Sequence, residues 1–120
     1  MSKFAPLTAE GFDIGTALQQ LAGSEKLYLS VITKFATMYK DLPDTIKTDL
    51  EKGDLTKVRR DAHTVKGLAG TLGHGDLRNV AARLENSAVD GNAAECVQHF
   101  AAFQETFEHV LTSLQNVVNA

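Results

Sequence analysis

Residues 62–73 read AHTVKGLAGTLG, with a histidine, a lysine three places on, and glycines at 67, 70 and 73. Neutral imidazole is a nucleophile, and a phosphoryl group brings close to two negative charges to whatever accepts it. An ammonium at i+3 on a helix shares the histidine's side and suits phosphate oxygens as a movable point charge. His63 and Lys66 therefore have the residue types and spacing for phosphoryl acceptance. Glycine opposes the helix, since each interior one costs about 1 kcal/mol relative to alanine. Gly67 and Gly70 need a reason.

A helical wheel supplies one. With His63 at zero, Val58, Ala62, Val65, Leu68, Ala69 and Leu72 fall between roughly 140° and 260° and form the core stripe. Arg59, Arg60, Lys66, Gly67 and Gly70 fall within roughly 60° of His63, on the opposite side. The interior glycines are thus off the buried face, where close packing of a neighbouring helix would have explained them. They clear side chains from the surface around the histidine, and a broken local rule without a core reason marks a functional site. Arg59 and Arg60 add positive potential one turn earlier and read as an electrostatic attractant for an acidic partner. Asp61 sits near 160°, at the edge of the apolar arc, and must reach solvent or a partner there. Such an open face cannot enclose a substrate, so its partner must be another protein.

The elements that hold this face are helical throughout. Asp13 caps a short helix, IGTALQQLA, that Gly23 ends. Ser24 caps the next, in which Leu27, Val31, Phe35, Met38 and Leu42 fall at helical spacing. Pro43 bends or interrupts it, and Ile46 and Leu50 carry the stripe to a stop at Gly53. Asp54 caps the histidine helix, which ends at Gly73; Asp76 caps LRNVAARLENSAV, which closes at Gly91. Asn92 begins the last helix, whose stripe is Cys96, Phe100, Phe103, Phe107, Val110, Leu114 and Val117. No stretch alternates with period two. Steps of three and four with short connections predict an all-α, up-down-up-down four-helix bundle with a short additional N-terminal helix. The 120 residues make one domain, 1–120, with residues 1–10 as an N-terminal extension.

At this point RRDAHTVKGLAGTLG, followed by Leu77, Ala81 and the pair Leu84-Glu85, resembles the histidine-containing phosphotransfer (HPt) domain of bacterial multistep phosphorelays. That family's signature is roughly A-H-x-L-K-G-x-A-x-x-L-G, then a helix ending in L-E. Ala62, His63, Lys66, Gly67, Ala69, Leu72 and Gly73 fit it, and Val65 replaces leucine. The likeness runs from about residue 11 to the end and includes LAGSEKLYLSVITKF as the early helix. His74 departs from it, standing where the family has a small or apolar residue. The resemblance implies that His63 is phosphorylated by a receiver-domain aspartate and passes the group to another, with Lys66 and Gly67 in support. It implies response-regulator receivers or a hybrid histidine kinase as partners, with Mg²⁺ in the receiver and no cofactor here.

The remaining features exclude other classes. A net charge of −3 opposes nucleic acid as the main ligand. One cysteine, Cys96, allows no intrachain disulfide and no cysteine-rich zinc site, and it lies on an apolar stripe. A di-metal carboxylate bundle needs Glu-x-x-His on two helices, whereas Glu95/His99 and Glu105/His109 are four apart, so no metal is assigned. Gly67–Gly70 as a nucleic-acid clamp would need a loop in an α/β domain. No Walker A pattern is present, so the chain is expected to be a phosphoryl carrier without an ATP site or autokinase activity. Without a membrane span or signal-peptide core, a cytoplasmic monomer is expected. His74, His99 and His109 lack the surroundings of His63 and read as solvated or partly buried structural residues. The rival to phosphotransfer is the same bundle serving only as a docking module, without phosphate.

Overall fold

The structure is a computed structural model and describes residues 3–120. Seven helices follow one another among the described residues: α1 Ala5–Thr8, α2 Ile14–Gln20, α3 Glu25–Met38, α4 Leu42–Glu51, α5 Leu55–Leu72, α6 Gly75–Val89 and α7 Ala93–Val118. Among the described residues there is no strand, only an isolated bridge between Phe12 and His74. The four-helix plan holds, with its first arm in two pieces, because α3 and α4 both pack on α5 and α7. α5 and α6 form the most extensive helix pair, and α6 also packs on α7. The 26 residues of α7 reach about 39 Å at 1.5 Å per residue and account for most of the 46 Å long axis.

Capping explains most boundaries. Asp13, Ser24, Asp54 and Asn92 each accept from the backbone N–H three residues on, satisfying a donor the first turn leaves open. Pro43 sits in the first turn of α4, where a missing N–H costs nothing, and the chain breaks before it rather than kinking within one helix. At α6 the cap differs from expectation. His74 is the N-cap, its Nδ1 accepting from Leu77 N–H at 3.1 Å, and Asp76 lies inside the first turn. The imidazole reaches the open amide and leaves the carboxylate to face the positive helix end.

The core runs along the predicted stripes of α5, α6 and α7; Cys96, Phe100, Phe103, Phe107, Val110, Leu114 and Val117 are all buried. The α3 stripe is shifted. Tyr28, Ile32 and Phe35 are buried, while Leu27 and Met38 are 52% and 70% exposed. Two apolar stripes that share Phe35 compete on α3, and the one carrying Tyr28 and Ile32 is buried. Tyr28 also donates its hydroxyl to Leu72 O at 2.7 Å, satisfying a carbonyl at the end of α5. Residues 3–10, expected as an extension, contribute Phe4 and Leu7 to the core. Asp13 N–H donates to Gly73 O at 2.8 Å, which brings the N-terminal segment onto the end of α5. Gly73 is held there at φ +81, and a Cβ on it would come within 2.5 Å of Asp13 O. No helix of the described residues is long and apolar enough to cross a membrane.

Candidate functional site

His63 stands near the middle of α5 on its exposed side, with its side chain 68% accessible. The core stripe of Val58, Ala62, Val65, Ala69 and Leu72 pins the opposite side of the helix. His63 Nδ1 lies 2.6 Å from Glu85 Oε2 of α6. Lys66 Nζ lies 2.6 Å from Glu85 Oε1, as an ion pair. One carboxylate thus ties the two residues that the sequence put forward.

Glu85 is 8% exposed, an acid held at the α5–α6 seam. Burial raises the pKa of its carboxyl, but the Lys66 ammonium and the His63 hydrogen bond outweigh that and hold it below the usual range. It is therefore an anion at neutral pH. An ionised carboxylate only accepts hydrogen bonds, so His63 Nδ1 carries a proton, and in the neutral ring that leaves the lone pair on the exposed Nε2. In the sequence Glu85 figures only in the Leu84-Glu85 pair of the family pattern, with no role of its own. The available signal was an acid beside Leu84, at the margin of α6's apolar stripe, on the helix that must pair antiparallel with α5.

Arg59 and Arg60 line a cavity of about 380 Å³ together with Thr56, His63, Thr64 and Glu85. Arg60 Nε lies 3.8 Å from Asp61 Oδ1, and the arginine side chain remains 70% exposed. The two glycines separate in character. A Cβ on Gly67 would meet nothing within 4 Å, so the surface next to His63 and Lys66 is clear. At Gly70 a Cβ would stand in ordinary van der Waals contact with Arg78, whose Cδ and Nε each lie 3.8 Å from that position. That second glycine lies beneath a side chain of α6.

The other histidines sit apart. His74 is 3% exposed and packs edge-on to Phe12, with Nε2 3.0 Å from Glu10 O. With Nδ1 accepting from Leu77, Nε2 carries the proton and donates, so both ring nitrogens are engaged. Burial lowers the His74 pKa. His109 Nε2 lies 2.8 Å from Glu10 Oε2, and His99 is half-buried on α7. No group of three or more His, Cys, Asp or Glu among the described residues could hold a metal ion.

Comparison with known proteins follows the same lines. A model of the Hpt domain family matches residues 30–119. The crystal structure of the histidine-containing phosphotransfer protein ZmHP2 from maize is similar in fold, with a TM-score of 0.67 at 21% sequence identity. The alignment covers 98% of this chain and 92% of the maize chain. No curated protein sequence matches.

Proposed function

The chain belongs to the Hpt domain family, and on that premise we propose that His63 accepts a phosphoryl group from a receiver-domain aspartate and passes it to another receiver. The observation that carries this is the 2.6 Å contact between His63 Nδ1 and Glu85, made by a ring that is otherwise open to solvent. It directs the Nε2 lone pair outward, where a second protein can present phosphorus.

In the forward step Nε2 attacks phosphorus in line with the aspartyl oxygen. The P–N bond forms as the P–O bond breaks, and the aspartate leaves as carboxylate. The imidazole gains positive charge as it reacts, and Glu85 stabilises that charge through the Nδ1 proton. Lys66 is within a turn of the new phosphoryl oxygens and can share its ammonium between them and Glu85. Gly67 leaves the approach free. Transfer to the next receiver is the reverse step. Mg²⁺ belongs to the receiver's own site, and no cofactor is assigned to this chain. The protein acts as a cytoplasmic phosphoryl carrier without autokinase activity.

The test is direct. A receiver domain phosphorylated with acetyl phosphate and Mg²⁺ should label the chain on one histidine, with the acid lability and base stability of a phosphoramidate. His63→Gln should abolish the label. Label persisting in that variant, at His74 for example, would overturn the assignment. Stable receiver binding without any label would leave the docking-module reading in its place.

A further inference from the structure

The antiparallel seam of α5 and α6 repeats itself two turns beyond the acceptor. Glu85 meets His63; seven residues back along α6, Arg78 meets Gly70, seven residues forward along α5. Seven residues span about 10 Å of helix axis. Gly67 lies between these two rungs with nothing over it.

We propose that Arg78, laid across Gly70, is a specificity-determining residue that engages a carboxylate of the receiver domain docked on His63. This rests on the phosphocarrier reading and adds to it a named contact outside the acceptor helix. A partner burying as little as about 600 Å² of this chain covers a disc of roughly 14 Å radius around His63. The second rung falls inside that footprint. Arg78 is exposed, and no described carboxylate lies within ion-pair distance of it. The one acid in the same groove, Asp13, is occupied by Thr16, whose N–H and hydroxyl donate to it at 3.1 and 2.8 Å.

The surroundings fit a charge held ready for a partner. Gly11, Gly70, Gly73 and Gly75 line this groove of about 300 Å³, so another chain can approach closely. The missing side chain at Gly70 gives the arginine stem a shelf, which lowers the entropy lost when its planar fork meets a carboxylate. Arg59 and Arg60 stand beyond His63 at the other end of the seam. Cations at both ends with the nucleophile between them fix a partner's orientation as well as its charge.

The experiment measures transfer to this chain from a receiver domain phosphorylated with acetyl phosphate and Mg²⁺, over a range of receiver concentrations. Arg78→Ala should raise KM about two- to fivefold, as expected for a rim ion pair, with the maximal rate nearly kept. Arg78→Glu should raise KM further, Arg78→Lys should recover part of it, and the Ala effect should shrink at high salt. Gly70→Gln, which displaces the arginine, should raise KM in the native background and add little to Arg78→Ala. Unchanged KM in both Arg78→Ala and Arg78→Glu overturns the proposal, as does a fall in maximal rate at constant KM. Those results with a labelled wild-type chain leave the phosphocarrier reading intact. A wild-type chain that no receiver labels removes both.

Discussion

Gly67 and Gly70 share the exposed face of α5 but have different neighbours, and substitution should separate them. Gly67 is helical, exposed and open. Gly67→Ala should therefore stabilise the fold by about 0.5–1 kcal/mol, through helix propensity and a less flexible unfolded chain. That corresponds to a melting temperature about 2–5 °C higher. Gly67→Gln should keep much of the gain while obstructing the surface beside His63 and slowing phosphotransfer. Melting curves and transfer rates on the two variants check this, and a loss of stability in both would make Gly67 a backbone requirement. The face of His63, Lys66, Arg59, Arg60 and Gly67 was legible because a single helix carries it, and helical periodicity orders residues on one element. Glu85 and Arg78 come from α6, whose register against α5 no one-dimensional pattern records. That is also why Gly70 seemed equivalent to Gly67.

Two carboxylates at the helix seams respond to pH with opposite signs. Glu85, between α5 and α6, has a lowered pKa, so its contribution is present above the ordinary value of 4.5 and is lost as pH falls through the lower folded value. Asp61 is different. Its side chain is 15% accessible; burial raises its pKa, Arg60 partly offsets this, and the Asp49 charge raises it again. Asp49, on α4, is itself 5% exposed with Oδ2 lacking a hydrogen-bond partner. The folded state therefore holds the Asp61 proton more tightly than the unfolded chain, and stability declines as pH rises from about 3.8 through the raised folded value. Asp61→Asn should remove that decline, gaining on wild type between pH 4 and 7 in a series of thermal melts. A variant equally destabilised across the range would make the charged form structural. The wheel placed Asp61 at the apolar edge, but Asp49 across from it is a tertiary fact. The α6 cap was misassigned for a similar reason. His74 serves as cap because Phe12 and Glu10 O, far off in sequence, hold its ring.

Across the whole molecule, charge is segregated around His63. α5 carries Lys57, Arg59, Arg60 and Lys66 against the single acid Asp61, inside a chain of net charge −3. Arg78 of α6 adds to the same side. On the proposed function, a field of this polarity should steer an acidic partner toward the seam, since a carrier that must release its partner gains more from fast encounter than from tight binding. A competing surface exists: Val89 and Val97, at the junction of α6 and α7, are 58% and 62% exposed and could anchor a partner by burial instead. The two mechanisms differ in their response to salt. Exposed charges are screened beyond about 8 Å at 0.15 M ionic strength and about 3 Å at 1 M, while apolar burial is not. Association with a receiver domain, followed by stopped flow, should therefore slow about tenfold between 0.05 and 0.5 M NaCl. Chemical-shift changes should centre on residues 59–70 and Arg78. A rate insensitive to salt, with shifts centred on Val89 and Val97, would place docking on the apolar junction, and the cations of α5 would then be ordinary solvated side chains.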